Sequence, residues 1–78
     1  MEAIQVTARF DDNGTITPLH FTWKGSRYQI ESVGRRWNAE DGQHILVMVP
    51  GDRIFELLFA SKESRWYLGR AETARPIA

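Results

Sequence analysis

FTWKGSRYQI, residues Phe21 to Ile30, reads as a complete β-hairpin and decides the fold class. Gly25-Ser26 is the Gly-X pair of a two-residue type II′ turn, whose first central position has positive φ and suits glycine. Closing the turn there pairs Lys24 with Arg27, Trp23 with Tyr28, Thr22 with Gln29 and Phe21 with Ile30. The large apolar side chains then share one face and the polar ones the other, as a half-buried sheet requires.

The same pattern extends in both directions. No long segment repeats apolar residues at helical spacing, and β-branched and aromatic residues dominate between clusters of Gly, Pro, Asn and Asp. Six strands are expected, over Ala3 to Phe10, Thr15 to Lys24, Arg27 to Arg36, His44 to Val49, Arg53 to Ala60 and Arg65 to Ala71. A turn at Asn13-Gly14, with either a two-residue loop or a four-residue loop from Asp11 to Gly14, places Ile4, Val6, Ala8 and Phe10 on the face of Leu19, Phe21 and Trp23. A turn at Pro50-Gly51 or Gly51-Asp52 sets Leu46 and Met48 with Phe55 and Leu57, and one around Lys62-Glu63 sets Phe59 against Trp66 and Leu57 against Leu68. The expected interior is Phe21, Trp23, Tyr28, Ile30, Leu46, Met48, Phe55, Leu57, Phe59, Trp66 and Leu68. Strand three changes phase between Ile30 and Val33, so a bulge belongs near Glu31-Ser32, and Pro18 belongs at an edge or a second bulge. The fold class is therefore all-β, a six-stranded antiparallel meander closing into a small SH3-like or partly open barrel. One domain is expected over residues 1–72, with an irregular segment from Trp37 to Gln43 and a flexible tail over 73–78.

The chain has 78 residues and no cysteine, so it has neither a disulfide nor a thiolate site, and three Trp, two Tyr and four Phe must supply the core. MEAIQVTARF lacks the basic and apolar regions of a signal peptide, and no apolar run is long enough to span a membrane, so a cytoplasmic location away from membranes is expected. Ten basic and ten acidic side chains cancel. They are unevenly placed: residues 20–36 hold Lys24, Arg27, Arg35 and Arg36 against Glu31, while Asp11-Asp12 and Glu40-Asp41 are acidic.

Nothing local points to catalysis, a metal or a cofactor. His20 and His44 lie outside any metal-binding or nucleophile motif; His20 falls on the polar face and His44 on the inward one, as a structural histidine. Glu31, Glu40, Asp41 and Glu56 offer carboxylates without a recognisable setting, and the glycines form no phosphate loop. Two binding surfaces remain. Lys24 and Arg27 flank the hairpin tip and Arg35, Arg36 and Trp37 close the same strand pair, which is the combination of cations and an aromatic ring that a single-strand nucleic-acid binder uses. Trp37 is also read as a barrel plug, and the plug is preferred. The other surface comes from HILVMVP, apolar on both parities: Ile45, Val47 and Val49 are expected to point outward beside Ile54, Leu58 and Tyr67. They would meet a protein partner or a second copy, or lie covered by the Trp37 to Gln43 segment or the tail.

The pattern carried by Phe21, Trp23, Gly25, Tyr28 and Ile30, then Arg35, Arg36 and Trp37, then Arg53 to Leu57 and Trp66 to Leu68, resembles a family of short bacterial proteins of unknown function. A similar domain is appended to the C-terminus of the catalytically inactive Y-family polymerase-like subunit of bacterial mutagenesis complexes. The resemblance covers roughly residues 18 to 70 and rests on hairpin and core positions. It implies a non-catalytic accessory module in DNA transactions or a partner-binding domain, and it carries over no catalytic residue.

Overall fold

The computed structural model describes residues 2–73. The expected tail thus lies, beyond its first residue, outside the described residues. Seven strands run in chain order, β1 (Glu2–Phe10), β2 (Ile16–Trp23), β3 (Ser26–Gln29), β4 (Ser32–Ala39), β5 (Gly42–Val49), β6 (Arg53–Ala60) and β7 (Arg65–Thr73). They form one antiparallel sheet in the order β3-β2-β1-β7-β6-β5-β4. The sheet curls into a half-barrel around Phe21, Ile45, Val47, Val49, Phe55, Leu57, Trp66 and Leu68.

The two edge strands, β3 and β4, are consecutive in the chain and only Ile30 and Glu31 separate them. Ile30 donates its N–H to the Leu19 carbonyl of β2 at 3.0 Å, and Glu31 donates to the Met48 carbonyl of β5 at 2.7 Å. The expected third strand therefore breaks where its bulge was placed and changes partner there, which raises the strand count from six to seven. A further irregularity in the β4–β5 register lies between Val33 and Arg36. β1 divides similarly, with Glu2 to Ile4 pairing with β7 and Gln5 to Phe10 pairing with β2.

The registers differ from expectation in instructive ways. The second hairpin turns at Lys24-Gly25, with Trp23 opposite Ser26 and Phe21 opposite Tyr28. Both central residues have positive φ, 52° and 78°, as a type I′ turn requires. The slip leaves every side chain on its expected face, because each strand position keeps its parity. In the first hairpin, Phe10 pairs with Ile16, and Asp11 N–H bonds the Thr15 carbonyl around a left-handed Gly14. Five residues, Asp11 to Thr15, separate the paired strand ends, an odd number where an even one was expected. A bulge at Leu19 restores the phase, so that Val6 still faces Phe21 while Pro18 is buried and Leu19 is exposed. Phe10 is also exposed rather than inward, touching Phe59 edge to face at 5.9 Å.

Nothing compensates in the third case. Val49 pairs with Arg53 around Pro50, Gly51 and Asp52, so the loop has three residues and β5 is rotated by one position relative to the expectation. Ile45, Val47 and Val49 face the core, 0–1% exposed, opposite Leu57, Phe55 and Arg53. Leu46 and Met48, expected inside, lie half-buried on the outer face. The fourth turn is as expected, with Phe59 opposite Trp66 and Leu57 opposite Leu68. Residues Trp37 to Gln43 are not irregular: they finish β4 and start β5 around a turn at Glu40-Asp41, with Ala39 opposite Gly42.

Candidate functional site

The inner face of the β2–β3 hairpin carries an aromatic cluster. Phe21 is fully buried; Tyr28 stacks on it at 5.2 Å, and Trp23 meets Phe55 edge to face at 5.5 Å. Trp23 and Tyr28 are only half-buried, and cations cover what they expose. Lys24 Nζ lies 4.8 Å from the Trp23 ring, and the Arg53 guanidinium lies 5.5 Å from Tyr28 and 4.9 Å from Phe55. Such contacts are electrostatically favourable and leave the cations free to exchange a ring for an anion. Arg27, on the other face of the hairpin, brings its Nη2 to 2.9 Å from His20 Nε2.

Beside this cluster the sheet opens where β1 changes partner. Ile4 pairs with Trp66 of β7 and Gln5 with Thr22 of β2, so a groove of about 460 Å³ forms between Glu2, Trp23, Lys24, Ser64, Arg65 and Trp66. Glu2 Oε1 accepts the Trp23 Nε1–H at 3.2 Å.

A second constellation occupies the outer face of β4 to β7. His44, 7% exposed, lies between two carboxylates, with Nδ1 2.8 Å from Glu56 Oε2 and Nε2 2.8 Å from Asp41 Oδ1. Trp37 stacks on the imidazole at 5.1 Å with planes 10° apart, and the Arg35 guanidinium lies 5.0 Å from the indole. Glu56 Oε1 is 3.9 Å from Arg70 Nε. Burial pulls the His44 pKa down, but the hydrogen bonds and charges of Asp41 and Glu56 outweigh it and raise the pKa above the ordinary imidazole value. The hydrogen bond from His44 conversely lowers the Asp41 pKa. Both ring nitrogens lie 2.8 Å from carboxylate oxygens, so the imidazolium form of His44 donates to both and clasps the β4–β5 turn to β6. It has no free nitrogen for acid–base work.

Next to the clasp, Glu40, Asp41, Lys62, Glu63 and Tyr67 surround a groove of about 380 Å³ floored by Leu58 and Ala60. The Tyr67 hydroxyl donates to Glu63 Oε1. This end of the sheet is acidic where the β2–β3 end is cationic. Among the described residues, no group of three or more His, Asp or Glu is placed to hold a metal ion, and no helix is long and apolar enough to cross a membrane.

The residues singled out from the sequence therefore do not form the surfaces expected of them. Lys24 and Arg27 belong to the β3 edge of the sheet, whereas Arg35, Arg36 and Trp37 belong to the β4 edge and are paired with β5. Arg36 is half-buried and its Nη1 donates to the Ile16 carbonyl of β2, which ties the side chain back onto the fold. Trp37 does not plug the barrel; it covers His44 from outside. Ile45, Val47 and Val49 are core residues and cannot meet a partner, because their three-residue loop turns them inward. Of that proposed face, Ile54 and Tyr67 are half-buried on the outside, and Leu58, also outward, is 2% exposed. Reasoning from sequence missed Arg53 and Arg65, which lie far along the chain from the hairpin they approach. It also left Asp41, His44 and Glu56 as unrelated residues.

No family model, curated protein or solved structure matches the chain.

Proposed function

We propose that this chain is a small non-catalytic β-barrel binding module whose cation–aromatic end contacts single-stranded nucleic acid, as a cytoplasmic accessory in bacterial DNA transactions. The observation that carries this reading is the placement of Lys24 and Arg53 over the half-buried rings of Trp23 and Tyr28, with Arg65 beside Lys24 in the adjoining groove. Cations supply phosphate neutralisation and the rings supply sequence-tolerant stacking. Net neutrality does not oppose this, since the carboxylates Glu40, Asp41 and Glu63 gather round a different groove. The resemblance to domains appended to polymerase-like mutagenesis subunits agrees with an accessory role and supplies no site.

Fluorescence anisotropy with labelled single-stranded oligonucleotides at two ionic strengths tests the reading. Binding should be micromolar or weaker and fall steeply with salt, and Lys24→Gln with Arg65→Gln should lower both affinity and salt slope. Absence of binding in low salt would refute it.

A protein-interaction reading keeps one supporting observation, the apolar cleft of about 130 Å³ between Gly34, Arg35, Leu46, Met48 and Ile54 on the outer face. It predicts self-association or partner capture that Met48→Glu abolishes, which sedimentation velocity and pull-down would measure.

A further inference from the structure

We propose that the groove at the β1 fork is a nucleotide subsite, holding one unit of a single strand with its base against Trp23 and its phosphate between Lys24 and Arg65. This rests on the nucleic-acid reading and gives it a location. The fork is a property of the topology. β2 runs on to Trp23 after β1 has left it for β7, so the sheet is split at this point and the gap of about 460 Å³ falls in the range of small-molecule sites, roughly 300 to 1,000 Å³.

Its walls suit the two halves of a nucleotide. Lys24 comes from the β2–β3 turn and Arg65 from the first position of β7, so two cations from separate elements line one cavity. Both are exposed, and a phosphate between them would gain charge-assisted hydrogen bonds from each. The flat wall is Trp23, held in orientation by its Nε1–H bond to Glu2 at 3.2 Å. Lys24 Nζ, 4.8 Å from that ring, occupies a place where a base would stack. An incoming phosphate draws the ammonium aside and frees the ring for the base, so charge pairing and stacking are gained in one rearrangement. Gln5, Thr22 and Ser64 supply uncharged donors and acceptors along the rim for base edges. Glu2 brings a carboxylate into the lining, with one of its two oxygens held by the indole, and the two cations outnumber it. The acidic groove around Glu40, Asp41 and Glu63 would repel the same ligand.

The test is a titration of the full chain with AMP, adenosine and inorganic phosphate separately, followed by amide NMR shifts, and in parallel with a short labelled oligothymidylate by anisotropy. AMP at millimolar concentration should shift Gln5, Thr22, Lys24, Ser64 and Arg65, with adenosine and phosphate each markedly weaker. Arg65→Gln should weaken AMP binding about tenfold, the scale of one charge-assisted hydrogen bond. Arg9→Gln, at the opposite end of β1 from the fork, should leave it unchanged. Oligonucleotide binding whose shifts avoid the fork, or AMP shifts confined to other residues, would overturn the subsite and leave the broader reading standing. Failure of both ligands to bind would overturn both.

Discussion

Val47 and Met48 are adjacent on β5, and the structure assigns them opposite fates. Val47 is 1% exposed and sits across from Phe55, itself fully buried, whereas Met48 is half-buried on the outer face opposite Ile54. Truncating Val47 to Ala removes two methyl groups, worth about 0.8 kcal/mol each in lost burial. The unfilled space in a packed core raises the total to about 2 to 3 kcal/mol. Met48→Ala, at a half-solvated site, should cost less than about 1 kcal/mol. The charged pair separates further. A domain of this size is stable by roughly 4 to 12 kcal/mol, and an unpaired carboxylate among Phe55, Val33 and Ile45 takes most of that, so Val47→Glu should not fold while Met48→Glu should. Urea unfolding followed by tryptophan fluorescence and far-ultraviolet circular dichroism measures all four variants. With an m value of about 1 kcal/mol/M, Val47→Ala should lower the midpoint by about 2 M. If Met48→Ala costs as much as Val47→Ala, or if Val47→Glu remains folded, the three-residue loop at Pro50 to Asp52 and the strand parity that follows from it are wrong.

Gly42→Ala should abolish folding or cost several kcal/mol, since φ is 140° and a Cβ there would strike the Phe59 carbonyl oxygen; thermal melting checks it. Lys24→Asn should stabilise by about 0.5 to 1 kcal/mol in urea, because Asn tolerates the left-handed φ of the type I′ turn better than Lys, and a loss of stability would refute the turn assignment. His44 has a raised folded pKa, so the stability of its clasp is fully present below about pH 6.5 and is lost as pH rises through the folded value; at the acid end it is lost as pH falls through the depressed pKa of Asp41. The difference in urea midpoint between wild type and His44→Gln should therefore peak in mildly acidic buffer and shrink toward alkaline pH, and a difference independent of pH would remove the imidazolium assignment.

Much of the fold was legible because sheet faces depend on parity alone. The second hairpin turns one residue earlier than expected, yet Phe21, Trp23 and Tyr28 keep their face, since the pairing shifts by an even number. In the first hairpin two odd errors cancel: the longer loop at Asp11 to Thr15 and the bulge at Leu19 each shift the phase by one. The alternation of Val6, Ala8, Phe21 and Trp23 already implied the result, and Pro18, with no N–H to donate, marked the place of the compensating bulge. β5 was illegible because its residues are apolar on both parities. Pro50-Gly51-Asp52 admits loops of two or three residues, and pattern offers no tie-break where every position is aliphatic.

The candidate sites divide along a different line. What a single hairpin holds, Trp23, Lys24, Arg27 and Tyr28, is visible in the sequence because these residues lie within five positions of one another around one turn. Arg53, Arg65 and the pairing of Asp41 with Glu56 across His44 depend on which strands become neighbours, and that depends on the partner exchange at Ile30-Glu31. A bulge was foreseeable there from the change of phase; that the chain would leave β2 for β5 was not, because a phase change specifies a bend and not its destination. The same exchange separates Arg35 and Trp37 from Lys24 and Arg27, and so divides one expected basic surface into two. On one side the cations rest on rings that a ligand can claim. On the other, Arg35 and Trp37 roof an imidazole both of whose nitrogens are held by carboxylates within the molecule. Binding should therefore follow the hairpin and the fork beside it, and substitutions of Arg35 should register in stability before they register in affinity.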